Sequence, residues 1–440
     1  MNTSTSLERK GIVLFAPVFV LLSGCGGEST STPAPQIPSS RTMIVSEAVR
    51  PADYAPDFAA VPIGDGALAQ PSVESGVAPN LASPDATLDG DNLLARSVAG
   101  VRARDPLKQP FATRSIWNMP IGSNAVFRPA NLPTNPGNNI WAKMPGVDDE
   151  HVVLRASSPL TTINFSNAAW SGRNRCSPTG GELLRVPMPR NYIVPHSSSN
   201  SSSSFLMPDG RTIIQAQPVA RCVAGGPATA LAKFSPVDLY GPGITGAHGG
   251  SGLSAIGGTI RVGELRPGST IGPRHVLKLA VYARESLYRC TTRSTCFRWP
   301  AVTSDSYAVG HYGADNPSAS PAMKMGALLA IPPTIQLTAL GLETAPAKQL
   351  AWTLQNYGAY IVDDTYAPGF FLNAEVGPDG SVPDQFKADY GFEMQQKVQG
   401  NTPWVRDIQR LAKALHVVTN NSATSVGGGG TPRQPLAPPI

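Results

Sequence analysis

The chain has 440 residues and a formal net charge of +5, and only 15% of its residues are charged. A mild positive excess without a lysine or arginine run argues against a nucleic-acid-binding protein. The 43 glycines and 43 prolines predict many turns and short strands. We therefore expect a mainly β fold, either a β-sandwich or a distorted β-barrel, with about two packed α-helices.

The first 24 residues have the pattern of a secretory signal. A basic pair, Arg9 and Lys10, precedes an apolar stretch over residues 11–22, and small residues follow. The stretch is shorter than the roughly 20 residues needed to span a bilayer. The run LSGC at residues 22–25 resembles the lipobox of bacterial lipoproteins. That resemblance implies cleavage before Cys25, diacylation of its thiol and a place in the cell envelope, at the outer membrane or cell surface. The alternative is an ordinary cleaved signal with a spare cysteine.

The remaining chain divides by composition into three parts. Residues 25–105 are rich in Ala, Pro and Ser without a sustained apolar period, which predicts a disordered tether behind the lipidated cysteine. Dense apolar clusters then indicate a globular β-rich domain over residues 106–420. Residues 421–440 form a Gly/Pro-rich tail without a core pattern.

Short β-like runs recur along the domain. Pro208-Asp209-Gly210 predicts a turn inside one of them, and alternation in the last should place Leu277 and Lys278 on opposite faces. The serine-rich stretch 196–204 predicts a surface loop. The predicted strands cover residues 151–155, 182–187, 191–194, 204–216 (two strands around the turn), 259–262 and 275–282.

Two helices follow the strands. The first begins after Thr344 and ends before Gly358, and the second begins at Pro403 after Thr402. Each has an apolar stripe at helical spacing. The stripes are Ala347, Leu350, Ala351 and Leu354 in the first helix, and Ile408, Leu411 and Leu415 in the second.

Four cysteines remain once Cys25 is set aside. An even number in an exported chain indicates disulfides, and four cysteines allow three pairings. We favour Cys290 with Cys296, which closes a small loop, and Cys176 with Cys222. A zinc site is the rival interpretation, although no C-x-x-C spacing is present.

The segment 246–258 contains six glycines and one imidazole, His248. Glycines let a backbone approach a ligand closely, so the segment could face a ligand. It could equally form a tight crossing between strands, in which His248 is a structural residue with polar neighbours. His-Gly-Gly is similar to the oxyanion loop of some esterases, but the partner G-x-S-x-G motif is missing, as is the P-loop motif.

Further titratable residues follow this loop. His275 provides a second imidazole, and Glu264 could orient it or share its proton. A lone histidine on a strand is more often structural. In the strand 360–364, alternation predicts that Tyr360 and Asp364 share a face, with Asp363 opposite.

Three segments resemble one group of exported bacterial β-rich proteins without an assigned activity. They are GGSGLSAIGGTIRVGEL with RHVLKLAVYA, MGALLAIPPTI with LGLETAPAKQLAWTLQNYGAYIVDD, and SVGGGGTPRQPLAPP. The resemblance covers residues 110–435 and implies a shared fold. It places His248, His275 and Asp364 in recurring segments and implies no function.

The sequence therefore favours an exported enzyme that acts on polysaccharide or cell-wall glycan. Hydrolysis would use two carboxylates, Glu264 and Asp364. Elimination would use His275 or Tyr360 as the base and His248 or Arg261 to stabilise negative charge. We expect no cofactor or metal, and membrane contact only through the acyl chains. The alternatives are a non-catalytic module that binds glycan through Trp117, Trp141, Trp170 and Trp299, or a structural surface lipoprotein.

Overall fold

The computed structural model describes residues 103–133, 150–197, 199–365, 368–397 and 400–440, and the backbone of residues 141–142. The predicted signal, the lipidation site at Cys25 and nearly all of the tether lie outside the described residues. Across the described part, no helix has the length and apolar character needed to cross a bilayer.

The described chain is mainly β, as predicted, and its strands form two sheets with no closed barrel. Sheet A has seven strands in the order β1-β16-β11-β12-β10-β13-β2, and sheet B has nine in the order β15-β14-β3-β6-β7-β8-β4-β5, with β9 paired to β7. The strands are β1 (Phe127–Pro129), β2 (Trp141–Ala142), β3 (Glu150–Val153), β4 (Leu160–Phe165), β5 (Glu182–Pro187), β6 (Ser202–Leu206), β7 (Thr212–Ala220), β8 (Ala228–Lys233), β9 (Val237–Asp238), β10 (Leu277–Val281), β11 (Leu328–Ala330), β12 (Ala359–Asp364), β13 (Phe370–Leu372), β14 (Glu375–Gly377), β15 (Gly380–Ser381) and β16 (His416–Val418).

Both predicted helices are present at the predicted places. Thr402 caps the second, since its side chain accepts a hydrogen bond from the amide of Val405. A nine-residue helix that the sequence analysis missed, Val382–Tyr390, lies between them. The described helices are α1 (Ala283–Ser286), α2 (Ala308–His311), α3 (Ala345–Asn356), α4 (Val382–Tyr390) and α5 (Pro403–Ala414).

Sheet A separates two apolar cores. On one face, Leu277, Leu279 and Val281 of β10 pack in the same core as the apolar stripes of α3 and α5. On the other face, side chains of β11, β12 and β16 pack against the glycine-rich segment and against Val152 of sheet B. The alternation predicted for β10 is confirmed, and it directs Lys278 toward sheet B. A third core lies within sheet B.

The serine-rich stretch is not the predicted surface loop. Ser199–Ser204 are buried, and Ser202–Leu206 form β6, which pairs with β3 on one side and β7 on the other. Serine hydroxyls tolerate burial when they find an acceptor. Ser202 donates to the carbonyl of Ala247 at 2.9 Å and Ser203 to the carbonyl of Ser201 at 3.0 Å. The prediction of a surface loop, which was based on composition alone, is therefore wrong for this segment.

The two favoured disulfides are confirmed: Cys176 pairs with Cys222, and Cys290 pairs with Cys296. The predicted turn at residues 208–210 is also present between β6 and β7. The predicted strands at 191–194 and 259–262 reduce to single bridges, at Val194 with Arg221 and Ile260 with Ala374. The Gly/Pro-rich tail lies along residues 104–125 and shares backbone hydrogen bonds with them.

Candidate functional site

The glycine-rich segment folds back on itself next to β12. Thr245 bridges Leu253, and the amide of Gly252 donates to the carbonyl of His248 at 2.6 Å. A Cβ on Gly250 would lie 2.4 Å from Asp363 Oδ1, and one on Gly246 would lie 2.0 Å from a Gln215 side-chain oxygen. The absence of Cβ atoms at these glycines therefore makes room for the chain's own side chains. This favours a tight crossing between strands over a loop that faces a ligand.

His248 lies in a buried polar group that we call the interior cluster: Glu150, His248, Lys278, Asp363 and Asn373. Its Nε2 lies 2.5 Å from Glu150 Oε1, and its Nδ1 lies 3.5 Å from Asp363 Oδ2. Lys278 Nζ approaches the same Glu150 oxygen at 3.2 Å. His248 and Glu150 are both 0% exposed. These side chains contact one another at the junction of the two sheets and offer no surface to a polymeric substrate.

Arg261, Glu264 and His275 form a second group. Glu264 Oε2 lies 3.0 Å from His275 Nε2 and accepts the amide of Arg261 at 2.7 Å. The Arg261 side chain pairs with Glu375 at 2.9 Å. Burial alone would lower the pKa of His275, but the Glu264 carboxylate outweighs it and raises the pKa above the ordinary value. A cavity of about 10 Å³ beside His275 holds at most one water molecule.

Asp364 anchors a third group, which we call the Asp364 centre: Asp364, His311 and Tyr307. Asp364 Oδ2 lies 2.9 Å from His311 Nε2 and accepts the Tyr307 hydroxyl at 3.2 Å. Its Oδ1 accepts the amide of Ala283 at 3.0 Å. The Asp364 side chain is 0% exposed, whereas that of His311 is 14% exposed. This centre thus joins a buried carboxylate to side chains that reach the surface.

Charged side chains flank the Asp364 centre. Arg284 follows Ala283 and forms two hydrogen bonds with Asp315, at 2.8 and 2.6 Å. The Arg284 hydrogen bonds lower the pKa of Asp315, and burial together with Asp315 raises the pKa of Tyr282. The side chain of Arg284 is 36% exposed, so the centre has a positively charged group beside it at the surface.

A β-bulge explains why Tyr360 and Asp364 lie on opposite faces of sheet A. The pairing of β12 with β10 skips Val362, so that Ile361 faces Leu279 and Asp363 faces Ala280. The expectation that Tyr360 and Asp364 share a face is therefore wrong. Tyr360 packs in the core between the sheets, whereas Asp364 lies on the side of α1.

Tyr360 is not positioned to act as a base. Its side chain is 0% exposed, and its ring meets Trp117 edge to face with centroids 5.7 Å apart. Burial raises its pKa, which disfavours the phenolate. The structure therefore separates the six predicted site residues. Arg261, Glu264 and His275 lie together, and His248, Asp364 and Tyr360 lie in three other environments.

Several polar residues of these groups were missed in the sequence. Glu150 and Lys278 come from strands whose apolar pattern hid them, and only the fold brings them to His248. His311 lies four residues after Tyr307, a spacing that carries no motif. Tyr307 lies in a segment without a recognisable motif.

The tryptophans do not form a sugar-binding row within the described residues. Trp117 is buried in the core, and Trp299 is partly buried against the same core. Trp170 is partly buried and donates to Asn200 at 3.2 Å. The side chain of Trp141 lies outside the described part.

Within the described residues, no group of three or more His, Cys, Asp or Glu side chains is placed to hold a metal ion. Comparison with known proteins gave no match to a family model, to a curated protein or to a solved structure.

Proposed function

We propose that this chain is an exported, lipid-anchored protein that cleaves polysaccharide or cell-wall glycan by β-elimination at the Asp364 centre. The observation that carries the proposal is a single buried oxygen, Asp364 Oδ2, which holds both the His311 imidazole and the Tyr307 hydroxyl. Elimination needs a base and an acid close together at one sugar unit, and imidazole and phenol are suited to these roles.

We assign a role to each group. With Nε2 donating to Asp364, the His311 imidazole would take the substrate proton at Nδ1, and the carboxylate would stabilise the resulting imidazolium. The Tyr307 hydroxyl would protonate the leaving glycosidic oxygen. Arg284 would offer positive charge to the carboxylate of an acidic sugar. The proposal moves the base from His275 or Tyr360 to His311.

Hydrolysis is less well supported than elimination. It needs two carboxylates that flank one glycosidic bond. Glu264 and Asp364 have different partners: Glu264 bonds to His275 and the amide of Arg261, and Asp364 bonds to His311 and Tyr307. We therefore no longer pair Glu264 with Asp364.

The cellular place of the protein is part of the same proposal. It depends on the lipobox resemblance at residues 22–25, with acyl chains on Cys25 as the membrane attachment. Labelling with a radioactive or clickable fatty acid should mark the wild type and leave Cys25→Ala unmarked.

The activity is tested by incubating the full-length protein with a panel of uronate-containing and neutral glycans. We expect an unsaturated sugar product, and a fall of about 10²- to 10⁴-fold in kcat for His311→Ala and for Tyr307→Phe. The matched control is His416→Ala, which removes an imidazole bonded to the carbonyl of Ala414. Wild-type activity in both His311→Ala and Tyr307→Phe would reject the site, and no product from any glycan would reject the activity.

One observation favours a second candidate, a non-catalytic surface lipoprotein. His248, His275 and Asp364 each serve a separate packed region, as expected if they stabilise the fold. Under this alternative the glycan panel yields no product, and His311→Ala lowers thermal stability instead.

A further inference from the structure

We propose that Lys278 and Asn373 become joined by an intramolecular isopeptide bond, with Glu150 carrying the proton. The inference concerns the interior cluster and is independent of the activity proposed for the Asp364 centre. A modification here would explain why a lysine, a carboxylate and an amide are buried together at the sheet junction.

The strand register brings the two reacting side chains together. β10 and β13 are antiparallel, with Leu279 opposite Leu372 and Ala280 opposite Phe371. Continued by one residue, this register sets Lys278 opposite Asn373, and directly opposite residues in antiparallel strands have Cβ atoms about 5 Å apart.

Glu150 contacts both of these side chains through one atom. Its Oε1 lies 3.2 Å from Lys278 Nζ and accepts Asn373 Nδ2 at 2.8 Å. Lys278 Nζ also donates to the carbonyls of Ser254 and Ala255 at 3.1 and 2.6 Å, which fix the nucleophile in place. Glu150, Lys278 and Asn373 are each at most 1% exposed, so bulk water does not compete for the reacting carbon.

The chemistry balances without a co-reactant. The Lys278 ammonium passes a proton to Glu150, and the neutral Nζ attacks Asn373 Cγ. Glu150 returns the proton to Nδ2, the bond between Cγ and Nδ2 breaks, and nitrogen leaves as ammonia, which takes up the second Nζ proton as ammonium. One amide replaces another, and no oxidation occurs. An oxygen within reach of both the nucleophile and the leaving group is the arrangement that such a transfer requires.

The bond would reinforce the junction of the sheets. β10 is a central strand of sheet A, and Asn373 lies where the chain leaves β13 of sheet A and enters β14 of sheet B. A covalent link at this point would fix the short segment between β13 and β14 that connects the two sheets. It would also remove the buried ammonium, whose desolvation is costly.

Peptide mapping tests the proposal on the full-length wild-type protein, after reduction and denaturation. Trypsin cleaves after lysine and arginine, and an isopeptide blocks cleavage at Lys278. We expect peptide 275–284 joined to peptide 349–387, at their combined mass as free peptides less about 17 Da for ammonia. Recovery of 275–278, 279–284 and 349–387 as separate peptides in the wild type would overturn the proposal.

Two variants distinguish a covalent bond between Lys278 and Asn373 from a non-covalent contact. Lys278→Arg keeps a positive charge near Glu150 but removes the nucleophile, so peptides 279–284 and 349–387 should be recovered separately. Asn373→Asp keeps the reacting carbon, and its linked product should lack about 18 Da because water leaves in place of ammonia. A linked peptide in Lys278→Arg would also reject the assignment.

Discussion

Within the described residues, His248, His275 and His311 each lie close to a carboxylate, and the three pairs differ in burial. His248 with Glu150 is sealed between the sheets, and His275 with Glu264 borders a cavity of one-water size. In the third pair, His311 is 14% exposed and Asp364 is buried, whereas in the second pair Glu264 is 22% exposed and His275 is buried. The imidazole is therefore the more exposed partner in the His311 pair and the less exposed partner in the His275 pair.

The pair of His275 with Glu264 predicts how stability depends on pH. The folded-state pKa of His275 is raised above an unfolded value of about 6.5. Its contribution to stability is fully present below that unfolded value and is lost as the pH rises through the folded-state pKa. In urea unfolding between pH 5.5 and 9, the wild type should be more stable than His275→Gln at low pH, and the difference should shrink as the pH rises.

The control for this titration is His416→Gln, whose imidazole is bonded to a backbone carbonyl. The same pH series is measured for both variants, so that the effect of losing an imidazole bonded to a carboxylate is compared with that of losing one bonded to a carbonyl. A difference for His275→Gln that stays constant or grows with pH would contradict the assigned ion pair.

Among the elements, α3 and α5 are joined by a carboxylate at the start of α3. Thr344 occupies the N-cap position, but its hydroxyl donates to Asp407 of α5 at 2.8 Å. Asp407 also accepts the amides of Thr344 and Glu343, at 2.7 and 2.9 Å. One buried side chain thus caps one helix from another and fixes how they pack.

Asp407→Ala should therefore destabilise the fold strongly. The substitution removes the acceptor of two partly buried amides and of the Thr344 hydroxyl, and each hydrogen bond lost costs about 1 kcal/mol. We expect the free energy of unfolding in urea to fall by at least about 2 kcal/mol. Asp384→Ala, at an exposed position in the first turn of α4, should change it by less than about 0.5 kcal/mol. Equal effects of the two substitutions would contradict this role for Asp407.

Elements with strong periodic patterns could be predicted from the sequence, and those set by distant contacts could not. The stripes of α3 and α5 and the alternation of β10 are local properties, and both were predicted. The bulge at Val362 depends on pairing with β10 and reverses the face of Asp364. Likewise, Ser202 and Ser203 are buried because distant or backbone acceptors satisfy them, which composition does not reveal.

At the scale of the molecule, the two ends of the described chain are joined. The amide of Ser123 donates to Thr431 and that of Arg433 donates to Ile121, each at 2.9 Å. Arg104 contacts Pro439 through its amide at 3.0 Å and Pro438 through its side chain at 2.8 Å. The Gly/Pro-rich tail has no apolar period because its contacts are made by the backbone, so the sequence pattern gave no indication of them.

Shortening the tail should lower stability in two steps. Removal of residues 438–440 eliminates the bonds to Arg104, and removal of residues 431–440 also eliminates those to Ile121 and Ser123. At about 1 kcal/mol for each hydrogen bond, the longer deletion should cost roughly 3–4 kcal/mol and the shorter about half of that. Urea unfolding of the full-length chain and of the two shortened chains measures these losses of stability. Limited proteolysis should find new cleavage near residues 104–125 in the longer deletion. Three equal unfolding midpoints would mean that the tail contacts add nothing to the stability of the β-rich region, which would then have to be held by the sheets, helices and disulfides alone.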